Sequence, residues 1–434
     1  MVGIDFGTTN SSIAMADEQG RVRLVQFPAA GGLVAAYRSL LYLEQTKSRG
    51  RSQLHSWSGP QGIERYLAAE PKGRLIQSLK SYLSSHTLTG TEVFGRRQLL
   101  EDLVARILAD LRQHAEAYFG CPIHAATVGR PVHFVGAESA ADDEFALARL
   151  RDAFSRAGFT HVDFEFEPVA AAYHYASTLT HEELVLIGDF GGGTSDFSLL
   201  RLQPDAAQQE LQTELLATSG VGLAGDAFDA RLVRHLVSPH LGADTLEKSG
   251  DKTLVAVPSW VYRRLEHWHH LSFLRTRAVS EMLRAARVRA FEPEKIAALS
   301  ELIEADLGYQ LHQAVQSTKI ALSRQEYAEF RFHQHGIHLQ APVTRAQFEW
   351  WIAADLASIE QAVEEVMAAS GLRDGAISRV FLTGGTSLVP AVRRIFERRY
   401  GADCVRTGDE FTSVASGLAL RARASHEALL PSVH

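Results

Sequence analysis

Two stretches of this chain are near copies of each other. "VGIDFGTTNSSIAM" starts at Val2, and "LIGDFGGGTSDFSLL" covers residues 186 to 200. Each leads from a short apolar strand into Asp-Phe-Gly, through small and hydroxylated residues, and into a second strand. The distance between them far exceeds the period of stacked repeats, so the pattern is a long-range duplication and not a solenoid. Strands and helices alternate within both halves, which implies an α/β fold. Two such lobes facing each other would place both Asp-Phe-Gly turns at one cleft, where ligands favour binding.

Hydrophobic patterning supplies the remaining elements. Residues 2 to 27 read as strand, turn and strand, whereas 37 to 97 are polar and carry no clear period. From Gln98 an amphipathic helix is predicted, with Leu99, Leu100, Leu103, Val104, Ile107, Leu108 and Leu111 on one stripe. A strand at "AATVGRPV", a helix near 142 to 157, the strand "VDFEF" and the helix "PVAAAYHYAS" complete the first half. The second half offers strands at "LVLIGDF", "FSLLRL" and "ELLATSG", and a helix at "GDAFDARLVRHLV". Helices dominate 278 to 323, and two strands fall near 328 to 341. Thr344 and Gln347 form a capping box for the next helix. The strand "SRVFLTG", the helix "PAVRRIFERRY" and a last helix near 412 to 424 follow.

The residue types in the turns point to phosphate. Anionic oxygens need amide N–H donors at close range, and successive amides in a tight turn form a concave anion site. Glycine leaves that approach open. Gly7, Thr8 and Thr9 offer this in the first turn, and Gly191, Gly192, Gly193 and Thr194 in the second. Carboxylates beside phosphates repel them unless a cation intervenes, so Asp5 and Asp189 imply magnesium. Asp196 is placed to orient or deprotonate a water. A third glycine turn, "LTGGTSLVP", contains Gly384 and Gly385, which would let a nucleoside lie against the backbone. Neither a Walker A loop nor a dinucleotide fingerprint is present.

These strings resemble the actin, sugar-kinase and heat-shock chaperone superfamily, and specifically the nucleotide-binding domain of DnaK-type chaperones. "GIDFGTTNS", "EPVAAAY", "DFGGGTSDFS", "GDAFDARLV", "STKIALS", "VTRAQFE" and "LTGGTSLVP" occur in that family's order from residue 3 to 390. "VGRPVHF" and "AGFTHVDFEFEPVAAAYHY" are most similar to its short YegD-like members. The resemblance implies a two-lobed actin-like ATPase fold, a pair of duplicated ribonuclease H-like domains, each carrying a smaller inserted subdomain. Lobe I would span 1–182 with an insert at about 37–97, and lobe II 183–404 with an insert at about 226–323. A helix at 405–424 would return to lobe I, and 425–434 would be a tail. No peptide-binding domain is expected after Ala424.

The resemblance also implies roles for individual residues. Asp5 and Asp189 would hold Mg2+ through water. Gly7, Thr8, Thr9, Asn10, Gly191, Gly192, Gly193 and Thr194 would bind the phosphates of ATP or ADP. Lys80, in "LIQSLKSYL", matches the catalytic lysine, with Glu167, Thr194 and Asp196 beside it in the chemistry. Gly225, Lys319, Ser323, Gly384, Gly385, Thr386 and Leu388 would contact the nucleoside. There are departures. Leu388 stands where the family has an arginine over the adenine, Gln316 where an acidic partner of Lys319 is expected, and Ala224 in place of the first glycine of the pair before "DAFD". The implied activity is slow Mg-dependent ATP hydrolysis that drives lobe closure, in a chaperone or regulatory ATPase. The rival readings are a small-molecule kinase of the same superfamily, an actin-like filament protein and a non-hydrolysing nucleotide sensor.

Composition excludes other classes. The 434 residues carry a net charge of −7 with acids and bases intermixed, so neither a nucleic acid nor a membrane is an expected partner. An unidentified protein partner or client is expected instead. Two cysteines, Cys121 and Cys404, read as small buried residues in a reducing compartment. With a strand already at Val2 and no long apolar run, the expected location is the cytoplasm. "LEHWHH" at 265 to 270 reads as an ordinary helix turn in preference to a zinc site. His333 and His335 read as solvent-facing positions on one strand, and Trp260, Trp268, Trp350 and Trp351 as helical core.

Overall fold

The computed structural model describes residues 1–29, 31–48, 51–70, 73–176, 179–205, 210–249, 252–267, 271, 273–407 and 413–429. The chain divides into two compact units. The first comprises Met1–Gly222, Gln361–Ser387 and Arg394–His434, and the second Leu223–Glu360 and Leu388–Arg393.

The duplication appears in the first unit as two sheets of one design. In the first sheet, Val2–Phe6 lies at the centre. Asn10–Ala16 and Val22–Leu24 follow antiparallel on one side, and Ala125–Arg130 and His161–Phe166 parallel on the other. In the second sheet Glu183–Phe190 is central. Ser195–Asp205 and Glu210–Val221 run antiparallel on one side, and Arg379–Thr383 and Val405–Thr407 parallel on the other. The central strands are buried almost throughout, as expected for strands covered on both faces.

Two helices join these sheets. Ser413–Leu429 packs on the first sheet, and Glu167–Ala176 lies between that helix and the second sheet. The crossing is close enough to demand glycine. A Cβ at Gly417 would stand 1.7 Å from the Ala170 carbonyl oxygen, and one at Gly3 would stand 2.2 Å from the Ala419 nitrogen. The apolar contacts here form a second core, with Val169, Ala170, Val185, Ile187, Leu200 and Leu418.

The stretch without a clear period, 37 to 97, is structured. It forms the strands Leu40–Ser48, Arg51–Ser58 and Arg74–Gln77, the helix Gly59–Ala68, and a hairpin of Gly90–Val93 with Arg96–Leu99. The helix after it begins at Leu100, not Gln98, and buries Leu100, Leu103, Val104, Ile107, Leu108 and Leu111. Leu99, expected on the same stripe, instead ends the preceding strand and is exposed.

In the second unit the helix Gly308–Arg324 packs against the hairpin Tyr327–Gln334 and Ile337–Thr344 and against the helix Gly225–Leu232. The capping box at Thr344 and Gln347 is present. Arg231 grips Asp355 through two hydrogen bonds of 2.9 and 2.8 Å. His335 sits in the hairpin turn with φ 50°, not on the strand with His333. Trp350 is 75% exposed and Trp260 is also exposed, so neither is core, while Trp351 stacks on His235. Cys121 is exposed and Cys404 half-buried, against the expectation that both are buried. Trp268, His269 and His270 lie outside the described residues. Among the described residues no helix is long and apolar enough to cross a membrane.

Candidate functional site

Register makes the two Asp-Phe-Gly turns equivalent. Phe6 pairs with Ser11 and Asp5 with Ser12, while Phe190 pairs with Ser195 and Asp189 with Asp196. Each turn therefore holds four residues, Gly7 to Asn10 in one and Gly191 to Thr194 in the other. Gly7 is fixed by packing, because a Cβ there would stand 2.2 Å from the Asn10 carbonyl oxygen. Gly193 is different. A Cβ there would meet nothing within 4 Å, and its φ is not positive. Neither the backbone nor the packing requires glycine at 193, and the approach to its backbone is open. Thr8, Thr9 and Asn10 are half-buried, and the Asn10 side chain accepts from Arg38 at 3.4 Å.

Four carboxylates converge behind these turns around one lysine. Lys80 lies in the short 3-10 turn Leu79–Tyr82, which follows Ser78 in the left-handed region at φ 58°. Its ammonium donates to Glu167 Oε1 at 2.7 Å, with the two side chains only 8% and 13% exposed. Burial alone would push Lys80 down, but Glu167, Asp5 and Asp189 hold it above the usual lysine value. Glu167 opens the helix that joins the two sheets.

The aspartates are held well above the carboxylate range. Burial, then repulsion from Glu167, pushes Asp5 up to about 8, with Lys80 opposing and Asp189 adding to the rise. Burial and Glu167 raise Asp189 to about 6, against a hydrogen bond from Thr383 and the charge of Lys80. Asp196 is raised to about 7 by burial, with Asp189 and Glu167 adding to it and the Thr194 hydroxyl, which donates at 2.9 Å, opposing. Four acids facing one ammonium leave an excess of negative charge that favours a cation. Among the described residues no group of three or more His, Cys, Asp or Glu could hold a metal directly. An excess of buried carboxylates over one ammonium fits a hydrated cation held through its waters, which is the habit of magnesium.

Two residues at this site carry no signal in the sequence. Thr383 donates to Asp189 Oδ1 at 2.6 Å because the parallel register sets Asp189 beside Thr383. Arg130 stands close enough to Glu167 to feel its charge, and its guanidinium lies over the Phe134 and Phe166 rings. Only the strand pairing brings either of them here.

The nucleoside candidates divide between the units. In the first, Gly384 has φ +83° and a Cβ there would stand 2.0 Å from the Phe190 carbonyl oxygen, so it has a packing reason of its own. Gly385 opens a short 3-10 turn, and Thr386 is buried. In the second, Lys319 Nζ meets Asp229 Oδ1 at 2.7 Å and donates to the Gly225 carbonyl at 3.1 Å. Lys319 thus has an acidic partner in Asp229, although Gln316 stands where one is expected from the resemblance. Ser323 donates to the Lys319 carbonyl at 3.0 Å, and Leu388 is 43% exposed.

Paired sheets of one topology, each presenting an acidic glycine turn, define an actin-like two-lobed ATPase fold. A family model described as Hsp70 protein matches residues 78–256 and 298–427, and the chain belongs to that family. The chaperone protein DnaK of Thermotoga petrophila is 27% identical over 425 residues, which is 97% of this chain and 59% of that protein. The chain thus spans 59% of that relative's length. The likeness is to a DnaK-type chaperone, and the cofactors of the family are ATP or ADP with Mg2+.

Proposed function

We propose that this chain hydrolyses ATP slowly with magnesium, and that nucleotide state drives closure of its lobes, which a protein partner reads. The observation that carries the proposal is the convergence of Asp5, Glu167, Asp189 and Asp196 on Lys80 behind two matched glycine turns. The amides of Gly191, Gly192 and Gly193 and the hydroxyls of Thr8, Thr9 and Thr194 would bind phosphate oxygens, with Gly7 and Asn10 completing the first turn. Asp5 and Asp189 would hold Mg2+ through its waters. Bound there, the ion would neutralise phosphate charge.

The remaining chemistry falls to the chain itself. Lys80 stabilises charge on the γ-phosphate, which requires it to turn from Glu167 toward the nucleotide. Asp196, held at about 7, can accept a proton from water near neutral pH and return it afterwards. Thr194, bonded to Asp196, keeps that carboxylate oriented. For the nucleoside, the proposal rests on the motif resemblance and names Gly225, Lys319, Ser323, Gly384, Gly385, Thr386 and Leu388. The same resemblance supports chaperone activity, YegD-like kinship and a cytoplasmic setting. A ligand shifts the lobe arrangement only by as much as its affinities for the two arrangements differ.

The test is calorimetry with ATP and ADP, with and without Mg2+, followed by turnover on the same sample. Tight binding that needs Mg2+ and is lost in Asp189→Asn is expected. Unchanged Mg·ATP affinity in that variant would sink the assignment. Binding without turnover would favour the nucleotide-sensor reading, to which Leu388 in place of an arginine lends some weight.

A further inference from the structure

We infer that Arg149 is the positioning residue for the Lys80 ammonium. The inference rests on the proposed role of Lys80 and adds a part that neither the motifs nor the family match supplies. Arg149 lies in the helix Ala140–Arg156, and its side chain is only 7% exposed. Both terminal nitrogens of its guanidinium donate to a single stretch of chain. Nη1 donates to the carbonyls of Tyr82, Leu83 and Ser85 at 3.4, 3.2 and 3.1 Å, and Nη2 to that of Leu88 at 3.2 Å. Nε is held by the Glu101 carboxylate, which extends from the first turn of the helix Leu100–Phe119.

The stretch so gripped begins where the Lys80 turn ends. The Leu83 amide donates to the Lys80 carbonyl at 3.2 Å, so the guanidinium and Lys80 are two hydrogen bonds apart along the backbone. Supporting contacts hold the same loop. Ser84 donates to the Val135 carbonyl at 2.5 Å, and His86 bonds Asp142 at 2.9 Å while stacking on Phe145, whose ring also lies by the Arg149 guanidinium. Residues 83 to 89 have no helix or strand of their own to fix them. Without the guanidinium, the loop's carbonyls would need other partners, and the Lys80 turn would lose its downstream anchor. The left-handed Ser78 on the upstream side makes that turn costly to hold without support.

A planar fork can serve these carbonyls and a carboxylate at once, with one Nη1 hydrogen shared between two carbonyls, whereas a lysine ammonium has only three donors at one point. Removing the fork should leave the phosphate turns intact and let the ammonium wander, and small displacements of a reacting group are expensive.

The experiment measures turnover at saturating Mg·ATP, the Kd for Mg·ATP by calorimetry and the melting midpoint. It compares the wild-type chain with Arg149→Lys, Lys80→Ala and the double variant. Arg149→Lys should lower kcat at least tenfold with Kd within threefold. The double variant should be no slower than Lys80→Ala, because the two residues act through one group. Glu101→Gln, which keeps the fork but loosens it, should give a smaller fall and covers the case in which Arg149→Lys does not fold. Wild-type kcat in Arg149→Lys, or losses that multiply in the double variant, would overturn the inference while leaving the role of Lys80 standing. Wild-type turnover in Lys80→Ala would overturn both.

Discussion

With no nucleotide bound, the protein should become less stable as pH rises from 5 to 8, and Asp5→Asn should remove much of that loss. Burial and repulsion from Glu167 hold the Asp5 carboxyl at about 8, against 3.8 for a free aspartate. The folded chain keeps a proton that the unfolded chain has released. The benefit is complete below the unfolded value and gone above the folded one, so stability falls as pH rises between them. Each proton held in excess costs about 1.4 kcal/mol per pH unit. From pH 5 to 8, Asp5 alone then accounts for a loss of about 3 to 4 kcal/mol. For a unit of this size the melting midpoint should drop by roughly 5 to 10 °C. Asp196, at about 7, and Asp189, at about 6, act in the same direction. The assay is scanning calorimetry in EDTA at four pH values for wild type and Asp5→Asn. Asparagine keeps the shape and holds no titrating proton, so its profile should be flatter and its midpoint at pH 8 higher. Mg·ADP should rescue wild type at pH 8 and fail to rescue the variant. Parallel profiles for the two proteins would refute the reasoning.

Gly417→Val would drive side-chain atoms into the Ala170 carbonyl, 1.7 Å from where a Cβ would sit, and should lower the melting midpoint by at least 10 °C or abolish soluble expression; an unchanged midpoint would show that the helices can part cheaply. Thr383→Val removes the hydroxyl that holds Asp189 down, so the acid limb of Mg·ATP binding should move up by about half to one pH unit, worth about 1 kcal/mol; an unmoved limb in a pH series of Kd would count against that bond. Asp196→Ala should slow hydrolysis at least tenfold with Kd for Mg·ATP within threefold; equal losses in both would mean its role is misassigned.

Local chemistry was the legible part of this protein. A turn of glycine and hydroxyl residues beside an aspartate is a short-range arrangement, and short-range arrangements survive in a string of letters. The helix from Leu100 was legible for a similar reason, since its buried stripe repeats at helical period. Residues 37 to 97 were not, because their strands take partners through a three-stranded sheet and short hairpins, and no single run alternates cleanly. Leu99 illustrates the boundary problem: it fits the helical stripe by spacing, yet the hairpin claims it. Trp350 and Cys121 were misplaced because burial of a single residue depends on which face its neighbours cover.

From the sequence alone come the duplication, its Asp-Phe-Gly turns and their demand for phosphate and a cation, because those follow from residue types a few positions apart. The tertiary structure decided which distant groups surround those turns. Thr383 reaches Asp189 across 194 residues, Asp229 gives Lys319 an acidic partner, and Arg149 clamps the loop after Lys80. Such contacts depend on strand register and helix packing, which are settled by the burial of whole faces and leave no local trace in the order of residues.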